Sequence, residues 1–219
     1  MNKYKLSEET LEIDGHVLHR IIALRDFGEV KKGDLGGFIE KESNLAHDWN
    51  CWIYNDAVVR GNAMVCGNAK VCSNAEVYGN AKVYGNAMVY GNAEVYGNAK
   101  VYGNAMVCGN AEVCDNAKVY CDAIVCDNAK VYGDAIVCSN AEVYGNAKVE
   151  KKSDYIVFKN WWSSGRYFTW TRSNDMWSVG CFYGTGEELI KKAYADSEEK
   201  GREYERIVRY VESIKSEIK

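Results

Sequence analysis

The residues best suited to chemistry lie in the last third of the chain, where cationic side chains stand among tryptophans. The candidate ligand-binding residues are Lys159, Trp161, Trp162, Arg166, Trp170, Arg172, Trp177 and Thr185. Aromatic planes stack on flat rings, and guanidinium groups bind phosphate oxygens in bidentate fashion. This combination predicts a site for a nucleotide or another small phosphorylated molecule.

The strand pattern leaves a second interpretation open, because alternating aromatic residues are also typical of a core. In the predicted strand, Arg166, Phe168, Trp170 and Arg172 share one face. Arginine and tryptophan together favour a binding surface over a dry core. Thr185 is expected to cap a helix whose first amide groups suit an anion.

Histidine, the commonest general base, occurs only at His16, His19 and His47, all before the regular part of the chain. The sequence therefore predicts no catalytic residue, and we expect a protein that is not an enzyme and needs no cofactor or metal.

The middle of the chain is a hexapeptide repeat, as in NAKVYG, and this repeat must position everything else. Alanine and valine alternate with outward positions at the period of a β-strand, and the glycine-asparagine pair supplies a turn. A four-residue strand cannot bury its apolar side alone, so successive coils must stack in parallel. Residues 43–150 predict a parallel β-helix with 18 residues per coil and about six coils.

Residues 18 apart then form outward columns, which predict one apolar, one basic and one acidic face. The predicted oligomer interface on the apolar face comprises Trp52, Met88, Tyr90, Met106, Cys108, Ile124 and Cys126. An exposed apolar face of this extent marks an interface, so a homo-oligomer, with a trimer favoured, is expected. Cover by the C-terminal segment of the same chain is the alternative.

Asparagine or aspartate occupies the turn position of every hexad, and this position could serve as a metal ligand or as part of a structural ladder. Asparagine predominates, whereas hard cations prefer charged oxygens, so an amide ladder is expected. Cys108 and Cys126 are stacked neighbours, close enough for a disulfide in principle. We expect these cysteines to act as filler.

The sequence resembles the hexapeptide-repeat β-helix family. Val59 and Val65 match its aliphatic position and Ala63 and Ala69 its small position, although glycine follows valine by two residues rather than one. The resemblance implies a left-handed helix, whereas related bactofilin-type solenoids wind the other way. It also implies acyltransferase activity, with CoA bound between subunits and a histidine base, as a less favoured function.

The flanking segments are similar to those of hexapeptide proteins from phages and prophages. The N-terminal similarity lies in the stretch from Arg20 to Trp52, which contains ALRDFGEVKKGDLGGFIEKESNL. The C-terminal similarity lies in the Gly165-Arg166 turn, in Thr169 and Arg172, and in the run 180–185, GCFYGT. It implies that the protein could sequester a host nucleotide signal, or could be a structural or assembly protein of a phage or prophage.

Two appendages are predicted around the repeat. Asp14-Gly15 between apolar segments indicates a β-hairpin, so residues 1–42 are expected to form an N-terminal β cap. Residues 151–219 are expected to form a small α+β module of three strands, about 154–161, 166–172 and 176–182, and two helices, one after Thr185 and one after Gly201.

Composition narrows the function classes. The chain of 219 residues is 47% hydrophobic and 26% charged, with a net charge of −4 and nine cysteines. These values are typical of neither disordered nor membrane-spanning chains, and the acidity argues against bulk nucleic-acid binding. The N-terminus lacks the apolar run of a signal peptide, so a cytoplasmic protein with reduced thiols is expected, in the host cytoplasm if phage-encoded.

Overall fold

A computed structural model describes residues 2–217 as a mainly β protein built around a parallel β-solenoid. Two antiparallel strands and a third strand precede the solenoid: β1 (Tyr4–Ile13), β2 (His16–Ala23) and β3 (Leu35–Ile39). Positive φ angles at Asp14 and Gly15 form the tight turn between β1 and β2. The hairpin that the Asp14-Gly15 pair indicates is therefore present.

The third strand joins this hairpin to the solenoid, since β3 pairs with β2 on one side and in parallel with the first coil on the other. Gly36 lies at the junction, where a Cβ atom would come within 2.5 Å of Ile21 and 2.7 Å of the Ile53 carbonyl. The glycine is required because the backbone approaches the first coil so closely.

From residue 49 onward, each hexad contributes one two-residue strand. These are β4 (Trp52–Ile53), β5 (Val58–Val59), β6 (Met64–Val65), β7 (Lys70–Val71), β8 (Glu76–Val77), β9 (Lys82–Val83), β10 (Met88–Val89), β11 (Glu94–Val95), β12 (Lys100–Val101), β13 (Met106–Val107), β14 (Glu112–Val113), β15 (Lys118–Val119), β16 (Ile124–Val125), β17 (Lys130–Val131), β18 (Ile136–Val137), β19 (Glu142–Val143) and β20 (Lys148–Val149).

The strands form three parallel sheets, and every third strand belongs to the same sheet. The register pairs residues 18 apart, as in Met88 with Met106 and Lys100 with Lys118. The solenoid of about six coils and its 18-residue repeat are therefore confirmed. The protein is a parallel β-solenoid of the hexapeptide-repeat kind.

The core is a stack of alanine and valine side chains from every coil. From Ala69 to Val149, these residues are fully buried in one continuous cluster. Burying small and branched side chains on one side of every strand offsets the entropy of ordering such short strands.

The turn between hexads places one residue at positive φ, usually glycine. After it, asparagine side chains form ladders up the solenoid: Asn80 donates to Asn98 and Asn98 donates to Asn116, each at 3.1 Å. The amide ladder is confirmed. Among residues 2–217, no cluster of acidic, histidine and cysteine side chains could hold a metal ion.

Beyond the solenoid lies an antiparallel sheet of four strands: β21 (Tyr155–Lys159), β22 (Tyr167–Thr171), β23 (Met176–Val179) and β24 (Phe182–Gly184). The expected third strand, 176–182, is thus two strands. Gly180 adopts a positive φ, so the chain reverses between Val179 and Phe182, which face each other.

Two helices complete the module, α1 (Gly186–Asp196) and α2 (Glu198–Ile214). The capping box of Thr185 and Glu188 is present at α1. The expected start of the second helix after Gly201 is wrong, because Ser197 caps α2 and Gly201 lies inside it. A Cβ at Gly201 would meet the Tyr194 ring at 2.2 Å, so this glycine permits close packing of the helices.

The module contacts the last coil of the solenoid. Thr169 accepts a hydrogen bond from the Glu142 amide at 2.9 Å, and Ser178 donates to the Glu142 carboxylate at 2.6 Å. The Tyr155 hydroxyl donates to the Ile136 carbonyl at 3.0 Å. No helix within 2–217 combines the length and apolar character needed to cross a membrane.

Candidate functional site

The turn between β21 and β22 carries the two most exposed tryptophans of the module. Asn160 is fully buried beneath it and accepts hydrogen bonds from the amides of Trp162, at 3.2 Å, and Ser163, at 3.0 Å. Trp161 and Trp162 remain 76% and 66% exposed. The buried asparagine therefore fixes a turn that leaves both indole rings exposed to water. Exposed apolar surface is unfavourable, and binding of a ligand would remove it from water.

Trp162 forms one wall of an open groove between this turn and α2. The groove, with a volume of about 170 Å³, is lined by Phe158, Trp162, Glu203, Arg206, Ile207 and Tyr210. Phe158 and Tyr210 pack edge to face, with ring centroids 5.9 Å apart, and form the floor. Flat aromatic walls and an apolar floor suit a planar ligand.

The groove also carries charge. The exposed guanidinium of Arg206 makes no ion pair or hydrogen bond within the described part of the chain. Glu203 accepts a hydrogen bond of 3.4 Å from Asn160 Nδ2, so its carboxylate is tied to the turn. Arg206 is therefore available for an anionic group, while Glu203 can accept from a ligand donor.

The sequence analysis missed the residues that α2 contributes to this groove. Glu203, Arg206, Ile207 and Tyr210 follow the spacing i, i+3, i+4 and i+7, which places them on one helix face. The spacing is visible in the sequence, but only the packing of α2 shows that this face meets Trp162.

Lys159 lies beside the groove but is already engaged. Its ammonium lies 3.9 Å from the centroid of the Tyr167 ring and 5.0 Å from that of Trp161, and donates to the Gly165 carbonyl. These contacts tie Lys159 to residues on both sides of the turn, so it acts here as a positioning group.

The expectation that Trp170 and Trp177 line a surface is wrong. They are 1% and 2% exposed and belong to the core between the sheet and the two helices. Trp170 Nε1 donates to Asp175 at 2.7 Å, which satisfies its one polar group. The helices cover the strand face that these residues share with Phe168, so the core interpretation holds for them.

Arg166 and Arg172 do not form the single cationic surface that the sequence predicted. Arg166 and Arg172 are both exposed but lie at opposite ends of β22, roughly 20 Å apart. Arg166 lines a second, very small cavity with Phe182 and Tyr204. The two guanidinium groups therefore cannot act on one small ligand.

The anion site expected at Thr185 is occupied from within the chain. The carboxylate of Glu188 accepts hydrogen bonds from the amide and the hydroxyl of Thr185, at 2.9 and 3.0 Å. The amide donor lowers the pKa of Glu188, which keeps the carboxylate charged. The start of α1 therefore holds its own anion, and Thr185 is not free to bind another.

One residue of the predicted oligomer interface, Trp52, is buried within the protein itself. Trp52 is 1% exposed because Tyr4 and Phe27 pack edge to face on it, with ring centroids 6.2 and 5.2 Å away. The N-terminal segment therefore covers this residue. Met88, Tyr90, Met106 and Ile124 remain half-buried on the outside of the solenoid.

Cys108 and Cys126 are joined by a disulfide, so the expectation that these residues are filler is wrong. The two residues belong to adjacent coils, and their Cα atoms are 4.6 Å apart. Stacking in register brings them together, because residues 18 apart face each other across paired strands. The other cysteines have free thiols.

Comparisons with known proteins agree with the repeat architecture. A family model for the YdcK β-solenoid repeat matches residues 81–97. The chain is also similar to the uncharacterized acetyltransferase YdcK of Escherichia coli (strain K12). The two are 42% identical over 77 residues, covering 28% of this chain and 24% of that protein. The chain thus spans about a quarter of that relative's length.

Proposed function

We propose that this protein is a β-solenoid scaffold that binds a small, planar, negatively charged ligand in the groove of its C-terminal module, without transforming it. One observation carries the proposal: Trp162 and Tyr210 line an open groove beside Arg206, a guanidinium without a partner in 2–217. Stacking and charge together favour a nucleotide over a purely apolar molecule.

The chemistry of the groove supports binding rather than turnover. Of the six lining residues, Glu203 carries the one carboxylate, and a hydrogen bond from Asn160 holds it to the turn. The histidines lie in the N-terminal half and have contacts of their own. His16 pairs with Glu40 at 3.1 Å, His19 meets the Ser7 carbonyl at 3.2 Å, and His47 accepts from the Lys3 amide at 3.2 Å.

The narrower form of the proposal follows the phage resemblance of the flanking segments: a phage-encoded protein with this groove would sequester a nucleotide signal of its host. The half-buried Met88, Met106 and Ile124 would then assemble several subunits, and a trimer is the assembly that the resemblance implies. Light scattering should give a mass of several subunits, and a monomeric mass would contradict the assembly alone.

A calorimetric screen of mono-, di- and cyclic nucleotides tests the groove. We expect at least one nucleotide to bind, and Trp162→Ala and Arg206→Ala each to weaken it by about tenfold. Arg172→Ala is the matched control, because it removes the same charge at the far end of β22. Absence of heat with every nucleotide, or equal weakening by Arg172→Ala, would overturn the proposed ligand class.

Acetyl transfer is a second candidate, favoured by the similarity of the repeat to the acetyltransferase named above. Release of free CoA from acetyl-CoA in the presence of amines or alcohols would support it. His47→Ala, compared with His19→Ala, would then show whether a histidine acts as the base.

A further inference from the structure

One outward column of the solenoid contains a gap in a stack of aromatic rings. On the sheet that contains β8, β11, β14 and β17, the residue that follows the buried valine is, in successive coils, Tyr78, Tyr96, Cys114 and Tyr132. The rings of Tyr78 and Tyr96 stack with centroids 4.9 Å apart and planes 2° from parallel. Cys114 then replaces the ring in the third of these four coils.

The gap is an open cavity of about 330 Å³. Its lining residues are Tyr96, Cys114, Asp115, Lys130, Tyr132 and Lys148. Tyr96 and Tyr132 belong to coils two steps apart, roughly 9 to 10 Å along the axis. A flat ring midway between Tyr96 and Tyr132 would lie about half that distance from each of them. This is close to the 4.8 Å between the ring centroids of the stacked Tyr84 and Tyr102.

Three of the five other cysteines in equivalent columns, Cys108, Cys126 and Cys138, are closed off by the protein itself. Cys108 and Cys126 are bonded to each other. Cys138 lies under Tyr155, whose hydroxyl is 3.9 Å from its sulfur. Cys114 is itself 9% exposed, but the space beside it opens to solvent.

The rim of the cavity favours an anion. Lys148 has no ion-pair partner through its ammonium within 2–217, whereas Lys130 pairs with Glu112 at 2.6 Å. Asp115 uses one oxygen to accept from the Gly133 amide at 3.0 Å, which leaves the other for a ligand donor. A free ammonium beside two phenol rings suits an aromatic ring that carries one acidic group.

We infer that this cavity is a second binding site, which takes a flat aromatic monoanion with its ring between Tyr96 and Tyr132 and its acidic group at Lys148. The floor is the small side chain of Cys114, which leaves room where a tyrosine would complete the stack. The site is independent of the groove in the C-terminal module, since it shares no residue with it.

Titration calorimetry with 1-naphthoate tests the inference, with cyclohexanecarboxylate as a saturated acid of the same charge. Cys114→Tyr should fill the gap with the residue that occupies equivalent positions in neighbouring coils, and should weaken naphthoate binding by at least about tenfold. Cys72→Tyr makes the same exchange on another face and should leave the affinity unchanged. Cyclohexanecarboxylate should bind about tenfold more weakly than naphthoate.

The charge is tested separately, with a variant that leaves the core untouched. Lys148→Gln should weaken naphthoate binding by about threefold. Lys118→Gln, which removes from another face a lysine that has no ion pair within 2–217, should not change it. The inference is overturned if naphthoate fails to bind, if Cys114→Tyr binds it as the unaltered protein does, or if the saturated acid binds equally well. Loss of binding in Trp162→Ala but not in Cys114→Tyr would assign the ligand to the other groove.

Discussion

The solenoid and the C-terminal module bury their apolar side chains by different means. In the solenoid, the same alanine and valine recur in each coil, and each small side chain packs on identical neighbours above and below. In the module, a few large residues such as Phe168, Trp170 and Trp177 fill the space between one sheet and two helices. Stability is thus shared evenly in one region and concentrated in the other.

The two kinds of packing lead to binding surfaces of different origin. A regular stack presents outward columns of equal spacing, so a cavity forms only where the repeat is broken, as at Cys114. The irregular module forms its groove from a one-off turn and a helix face.

Trp170→Ala should have the largest effect, because it removes a fully buried indole and its hydrogen bond to Asp175. We expect a loss of about 4 kcal/mol in the free energy of unfolding of the module. Hydrogen exchange of residues 155–215 would measure it. Trp161→Ala, at an exposed position of the same module, should change stability by less than about 0.5 kcal/mol. Equal effects would contradict the concentrated core.

Val101→Ala tests the evenly shared core. Val101 is fully buried in the middle of the solenoid, and its truncation should cost about 2 kcal/mol in chemical denaturation. The same substitution at Val119, the neighbour in the next coil, should cost a similar amount. A large difference between these two variants would show that the coils are not equivalent.

Asn160→Ala compares one residue type in both regions. Asn160 is buried and bonded to the turn, so its loss should cost about 1.5 kcal/mol. Asn98→Ala removes an exposed member of the ladder and should cost only about 0.5 kcal/mol, because water replaces the lost partners. Thermal unfolding of the two variants measures the difference, and a ladder variant that loses more would reverse the ranking.

The stability of the junction between the N-terminal cap and the first coil depends on pH through Glu40. The Gly61 amide and then His16 lower the pKa of Glu40 from 4.5. The carboxylate therefore stabilises the fold above pH 4.5, and this contribution is lost as the pH falls through the lower folded value. Glu40→Gln should reduce the loss between pH 5 and 3 by about 1 kcal/mol in acid titrations. Glu8→Gln is the control on β1, and an equal change there would contradict the assignment.

Much of the fold could be predicted because the repeat imposes it. A repeat of six residues with alanine and valine on the same side of each strand can bury these side chains in only a few ways. Coil size, register and the asparagine ladder therefore follow from the sequence. The capping box at Thr185 is equally local. The split of 176–182 at Gly180 and the start of α2 at Glu198 depended on turn geometry and helix packing.

The candidate site was predicted only in part. Trp161 and Trp162 were selected because they stand among cationic side chains, and both are exposed in the structure. Trp170 and Trp177 were misplaced, since an alternating pattern cannot say which strand face the helices will cover. Arg206 and Tyr210 were missed because only the packing of α2 shows that their helix face lines a groove together with Trp162.

The stacked coils and the amide ladders follow from the sequence alone, because each depends on contacts that recur every 18 residues. Only the tertiary structure decided which aromatic residues are buried, that the N-terminal segment covers Trp52, and where cavities lie. Those outcomes depend on contacts between segments that do not repeat, and no local pattern encodes which of them meet.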